Sequence, residues 1–289
     1  MDQVGVRRPS AALLGLARAA LLEDVGRGDV TSLITVAEET WARARFVARE
    51  ELAVSGLEAA WAAFVEAGGE EVSFAALASE GDLLAAGFVL AEVEGPARPI
   101  LAAERVALNL LMRLSGIANL TKRYVDAVAE TGVRITDTRK TTPGLRLLEK
   151  AAVRAGGGTS HRAGLDDGVL IKDNHLALVG GVNEAVNRAR ANSPHLLKVE
   201  VEVESLQMLK EALQAGADVV LLDNMTPGEV REAVGLARTE APDLLVEVSG
   251  GVDLQTVRSY AEAGPDLISV GALTHSAPAA DISLEVEPP

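Results

Sequence analysis

The residues best suited to chemistry lie between positions 136 and 175, which read TDTRKTTPGLR and then GGGTSHRAGLDDGVLIKDNH. From Arg134 to Lys172 eight Lys/Arg stand against four Asp/Glu, a local +4 in a chain whose formal charge is −15. A cationic island in an acidic protein calls for a small anion, because the surrounding negative field repels a polyanion such as nucleic acid. Arg139 and Arg162 offer planar forks to carboxylate or phosphate oxygens, while Lys140 and Lys172 offer point charges. Each could instead form an ordinary ion pair with Asp137, Asp166 or Asp173. His161 follows Gly156-Gly157-Gly158 and precedes Arg162, a setting that suits a binding loop in which the imidazole donates to a carboxylate.

A second set of groups follows downstream. Glu202 and Asp223 end successive apolar runs and can approach each other. Two carboxylates without His or Cys partners suit Mg²⁺ or Mn²⁺, which prefer oxygen ligands; salt bridges to lysines are the alternative. Glu200 and Glu204 share strand parity with Glu202, so parity leaves open which of the three faces the site. Ser249-Gly250-Gly251 and Gly271-Ala272 have the make-up of late-strand phosphate cradles, with a plain tight turn as the alternative. His275 can flank such a phosphate site. His195, after Pro194 in a polar loop, reads as surface.

The elements that must position these groups form a cadence. Apolar, β-branched runs recur at 134–137, 169–172, 197–203, 217–222, 244–248 and 267–270, with helical patterns at 182–191, 205–215, 226–238 and 254–263. Continuous apolar strands alternating with helices indicate a parallel sheet buried on both faces. Thr226-Pro227-Gly228-Glu229 forms a capping box with Pro at the first helical position, and Gly216 and Gly264 sit where helix C-caps belong. Six or seven such units favour a barrel over an open sheet, and the polar strand ends, including Asp137-Thr138-Arg139-Lys140, then converge on one rim. The preceding part is mixed. It has a helix from Ala11 to Leu22, strand-like runs at 42–54 and 88–93, a helix at 57–67, and a long helix from about Ile100 to Glu130 that Gly116 could interrupt.

Composition limits the remaining classes. The 48% hydrophobic content supports a sizeable core, built from Ala, Val and Leu because aromatics are 3%. The absence of cysteine excludes disulfides, thiolate metal sites and a Cys nucleophile. No uncharged apolar run approaches the roughly 20 residues of a membrane span. Arg7 and Arg8 are not followed by an apolar segment with a cleavage site. The expectation is a cytoplasmic protein with no membrane or nucleic-acid partner.

Taken in order, DTRKTTPGLR, GGGxxHRxGLxDxxLIKDNH, VEVEVES, LLDNM, VSGGV and SVGALTHS resemble the signatures of the quinolinate phosphoribosyltransferases, the carboxylating nicotinate-nucleotide pyrophosphorylases. EDVGRGDVTS and ERVALNLLMRLSGIA fit the same family, so the resemblance spans nearly the whole chain. It departs at Met112, where Gln is expected, at Asn119 for Thr, and at Ser160 for the Asn before His-Arg. The resemblance implies an α/β protein with an N-terminal α/β sandwich (1–112, joined by 275–289). It also implies an open seven-stranded α/β barrel (113–274), of the type II phosphoribosyltransferase kind, carrying the active site at its strand C-termini. It further implies a homodimer using Mg²⁺ that converts quinolinate and phosphoribosyl pyrophosphate to nicotinate mononucleotide, pyrophosphate and CO₂ in NAD biosynthesis. Carried over residue by residue, Arg139, His161, Arg162 and Lys172 hold quinolinate. Lys140, Glu202, Asp223, Ser249, Gly250 and Gly271, with neighbouring Thr138, Gly251 and His275, serve the phosphoribosyl group and metal. Arg105 reaches the partner subunit's site. Lys140, Lys172, Glu202 and Asp223 are the groups expected to act on the reacting centre. The alternatives are a molybdenum-transport-associated paralogue, against which the lysine of LIKDNH speaks, a Schiff-base aldolase-like barrel, and a non-catalytic anion-binding protein.

Overall fold

The structure, a computed structural model, describes residues 8–287; Arg7 and both extreme ends of the expected N-terminal domain lie outside the described residues. The chain divides into two compact units. The first takes residues 1–120, 143–157 and 277–289, and the second takes 121–142 and 158–276.

In the first unit Ser10 caps the helix Ala11–Val25 by accepting from Leu13 N–H at 3.4 Å. A four-stranded antiparallel sheet orders its strands Ile282–Glu287, Trp41–Ala48, Val89–Pro96 and Ser73–Ala76. The helix Leu57–Gly68 contributes Trp61 and Phe64 to an aromatic cluster with Phe46 and Phe74, whose centroids lie 5.4–6.3 Å apart. A chain with so few aromatics thus concentrates four of them in one core, where each large ring buries more apolar surface than any other side chain could. The long helix runs unbroken from Ala97 to Ala127. Gly116 does not interrupt it; a Cβ there would meet the Pro278 carbonyl oxygen at 1.9 Å, so close backbone approach explains the glycine. Asn119 accepts from Ala53 N–H at 2.5 Å, so this departure from the family pattern supplies a backbone acceptor.

In the second unit six strands are all parallel: β1 (Arg134–Thr136), β2 (Val169–Ile171), β3 (Val199–Val203), β4 (Val219–Asp223), β5 (Leu245–Ser249) and β6 (Leu267–Ser269). They lie in the order β1-β6-β5-β4-β3-β2. The seventh position is a single parallel bridge between Thr136 and Thr159, where Thr159 N–H donates to Ile135 O and Thr159 O accepts from Asp137 N–H. The preceding glycine run and the following loop leave no apolar stretch to extend it, so the seventh strand shrinks to one residue. The sheet curls into a barrel. His161, two residues past the Thr159 edge, reaches Glu200 on β3 with Nε2–Oε2 of 3.0 Å, although four strands separate them in sheet order.

Helices Val182–Asn192, Leu206–Ala215 and Pro227–Glu240 match the sequence pattern. Thr226 and Glu229 form the expected capping box, and Gly216 caps its helix at φ +75°. Two expectations are corrected. The helix near 254–263 is only Val257–Ala261, because Asp253 and Thr256 close a turn before it; and that helix ends before Gly264, which therefore is not its cap. Four helices that periodicity did not reveal are Val30–Thr35, Arg146–Ala155, Asp173–Val179 and Ala272–His275. Among the described residues no helix is long and apolar enough to cross a membrane.

Candidate active site

Each strand of the barrel ends in a polar residue or is followed directly by one, and these C-terminal ends share one rim. A cavity of about 510 Å³ opens there, lined entirely by the second unit. Of the residues singled out by sequence, Thr138, Arg139, Lys140, His161, Arg162, Lys172, Glu202, Asp223, Ser249, Gly250 and Gly251 all line it. Gly271 and His275 do not. They stand behind Lys140, since a Cβ on Gly271 would lie 3.2 Å from both Lys140 Cδ and His275 Nε2. Arg105 is exposed on the helix Ala97–Ala127 of the first unit and is absent from the lining. His195 is exposed, as expected.

Backbone geometry fixes the rim. Gly250 has φ +92°, and a Cβ there would sit 2.2 Å from Asn224 Oδ1, so only glycine lets the turn after β5 pack against the turn after β4. Asn224 itself adopts φ +55°. Thr274 Oγ1 donates to Lys140 O at 2.8 Å and holds the loop after β1 against the turn after β6.

The electrostatics separate into two sides. On one, Arg139 and Arg162 each bury an Nε atom that has no hydrogen-bond partner among the described residues. Arg162 spends one terminal nitrogen on Gly168 O at 3.0 Å. Burial, reinforced by Arg139, pushes its guanidinium below the ordinary value, while Glu200 and Asp167 oppose that shift. On the other side, Lys172 pairs with Glu202. Asp223 is pushed up from its ordinary carboxylate value first by burial and then by Glu202, with Lys172 and Lys140 partly countering. The Glu202/Asp223 pair therefore carries a repulsion that a cation would relieve.

His161 lines the cavity and also faces a carboxylate of the protein itself. Its Nε2 faces Glu200, and its Nδ1 accepts from Arg162 N–H at 2.7 Å. The parity question among the three glutamates resolves by depth: Glu204 is exposed, Glu202 lines the rim cavity, and Glu200 lies deeper against His161. Sequence reasoning missed Asn224 and Glu247. The signal for Glu247 was available, since a carboxylate inside the otherwise apolar strand LVEVS is as anomalous as Glu200 in VEVEV. Asp137, fully buried, accepts from His161 N–H at 2.9 Å and so sets the loop rather than pairing with a rim cation alone.

Residues 29–115 match the N-terminal domain of quinolinate phosphoribosyl transferase, and residues 117–285 match its C-terminal domain. The chain belongs to the quinolinate phosphoribosyltransferase family. It is 43% identical over 279 residues to a probable carboxylating nicotinate-nucleotide pyrophosphorylase of Methanocaldococcus jannaschii, covering 94% of this chain and 96% of that one. It is 43% identical over 272 residues to the carboxylating nicotinate-nucleotide pyrophosphorylase of Mycobacterium leprae, covering 93% and 95%. A nicotinate-nucleotide pyrophosphorylase structure from Francisella tularensis superposes with a TM-score of 0.89 at 36% identity, over 99% of this chain and 100% of that one. As a member of this family the protein is a phosphoribosyltransferase, and the barrel seen here is that of its solved relatives.

Proposed function

We propose that the chain transfers the phosphoribosyl group of phosphoribosyl pyrophosphate to the nitrogen of quinolinate, with loss of the 2-carboxylate, in NAD biosynthesis. The observation that carries this reading is the pair of buried, unpartnered guanidinium nitrogens on Arg139 and Arg162, facing a rim that also holds Lys140, Lys172 and two carboxylates. Unmet buried donors of this kind persist where a ligand anion supplies the missing acceptors. A dicarboxylate uses both.

The C1–oxygen bond to pyrophosphate breaks as the pyridine nitrogen bonds to C1, so positive charge builds on the ribose and negative charge on the leaving group. The arginines orient the ring nitrogen toward C1 by holding its carboxylates, and Lys140 and Lys172 stabilise the departing anion. Once ribosylated, the nitrogen carries positive charge, which stabilises the electron pair left on C2 when CO₂ departs. That carbon then takes a proton. Glu202 and Asp223, hard oxygen donors under mutual repulsion, fit Mg²⁺ or Mn²⁺ and would hold it; the ion would neutralise pyrophosphate oxygens. Gly250 and Gly251, which line the same cavity, would offer backbone N–H groups to the phosphate end.

Incubation of the protein with quinolinate, phosphoribosyl pyrophosphate and Mg²⁺ should yield nicotinate mononucleotide and CO₂ by mass detection. No product with quinolinate, or equal turnover of nicotinate, would end this reading. We further take the working form to be a homodimer in which Arg105, exposed and without an ion pair among the described residues, serves the partner's cavity. Arg105→Ala and Lys172→Ala proteins should each be nearly inactive. Mixed at equal concentration, about half the dimers become hybrids with one intact site, restoring about a quarter of wild-type activity. No recovery after confirmed subunit exchange places Arg105 outside a shared site.

A further inference from the structure

Beneath the cavity, inside the barrel, His161, Glu200 and Glu247 bring one ligand-type atom each to within 4.8 Å of one another. His161 Nε2 lies 3.0 Å from Glu200 Oε2 and 3.8 Å from Glu247 Oε1. Both glutamates are buried, at 7% and 3% exposure, and each keeps an Oε1 atom with no hydrogen-bond partner among the described residues. The spacing would suit a cation, but the imidazole decides against one. Nδ1 already accepts from Arg162 N–H, so the ring proton sits on Nε2, facing the carboxylates, where a metal would need a lone pair.

Two buried carboxylates this close cannot both carry charge cheaply, and the imidazole offers them a single N–H. One further proton is needed. Glu247 is the group left with it, because Glu200 takes the imidazole hydrogen at the shorter distance. The groups around Glu247 agree. Burial first, then Glu200, push its carboxyl up to about 7, with Asp137 adding to the rise and His161 and Ser269 opposing it. The charge of Arg162 couples to Glu200. A second cavity of about 410 Å³, at the opposite ends of the strands, is lined by Glu200, His161 and Lys198 and gives water a route to the cluster.

We propose that Glu200 is a positioning residue that orients His161 and with it Arg162, and that Glu247 takes up a proton when the anionic substrate binds above. This rests on the functional reading given above and deepens it. An incoming dicarboxylate adds negative charge near His161 and Arg162, which favours the neutral form of Glu247. Binding and protonation are therefore linked.

Calorimetry of quinolinate binding at about pH 7, in buffers of different ionisation enthalpy, reads the linkage directly. Wild type should take up a fraction of a proton per site, and Glu247→Gln should bind with none. Wild-type affinity should fall as pH rises from about 6 to about 8, while Glu247→Gln stays flat. Glu200→Ala should raise KM for quinolinate on the order of 10-fold, the scale of an unmet buried group, with KM for phosphoribosyl pyrophosphate within about twofold. Glu200→Gln, which keeps an acceptor, should restore most of that loss. Equal proton uptake by wild type and Glu247→Gln overturns the proposal. Should that variant not fold, no uptake and a flat affinity in wild type overturn it equally. If quinolinate neither binds nor yields nicotinate mononucleotide, the functional reading falls and this inference falls with it.

Discussion

In the first unit's antiparallel sheet, Arg43 pairs with Glu94 at 2.8 Å, and Arg45 pairs with Glu92 at 3.0 Å and with Glu287 at 2.7 Å. All of these side chains keep a third to a half of their surface in water. In the second unit, Arg139 and Arg162 stand at the edge of a parallel barrel with buried Nε atoms, and Glu247 with a buried oxygen, that have no hydrogen-bond partner among the described residues. The same residue types thus occur in two regimes. Exposed cross-strand pairs are nearly neutral in energy, because water competes with the partner. Each buried, unmet polar group costs roughly 1–3 kcal/mol. Charge that is paired and wet decorates a fold, whereas charge left unpaired and dry marks where a ligand completes the protein.

That contrast can be tested by removing charges from each region. The largest effect should come from Arg139→Ala or Arg162→Ala, each expected to lower kcat/KM for quinolinate by roughly 10³- to 10⁴-fold, since a site built on polar pairing rejects what it cannot pair. Steady-state kinetics with product detection gives the number, and a loss under tenfold would mean the unmet donors are not the substrate's partners. Next in size, Glu202→Ala or Asp223→Ala should slow turnover on the order of 10²-fold and raise the Mg²⁺ requirement, yet leave quinolinate binding measurable. Unchanged Mg²⁺ dependence in both would reduce the carboxylates to structural ion pairing.

Glu247 provides a smaller effect, read through stability. Its folded value of about 7 lies above the ordinary 4.5, so the folded protein binds more protons than the unfolded chain between those values. Stability is therefore lost as pH rises from about 4.5 through about 7. Glu247→Gln removes that loss, and its Tm should gain on wild type by a few degrees between pH 5 and pH 8. A constant difference in Tm across that range would show that Glu247 ionises without penalty. Smallest of all, Arg43→Ala should change stability by less than about 0.5 kcal/mol and leave turnover unchanged. A larger loss in chemical denaturation would mean that the wet pairs matter as much as the dry cations.

Much of this architecture is legible in the residues alone. The apolar runs that became β3, β4 and β5 lie within two or three residues of their sequence-read bounds, because a parallel strand buried on both faces must be continuously apolar. The Thr226–Glu229 capping box needs only local hydrogen bonds, and it forms as read. The rim cations and carboxylates were readable because strand ends in such a fold share one face. The strand Ile282–Glu287 shows a period-two alternation that could have been read, but its partner Trp41–Ala48 is more than 200 positions away and no local signal names it.

What sequence could not assign is depth and direction. Strand parity puts Glu200, Glu202 and Glu204 on one face, and only the stagger and curvature of the closed sheet decide that one reaches His161, one lines the rim and one meets solvent. Composition and local pattern determined the strands, the caps and the set of charged residues, since each depends on neighbours a few positions away. The tertiary structure alone decided which charges are buried without partners, because burial depends on what the closing barrel brings across its interior.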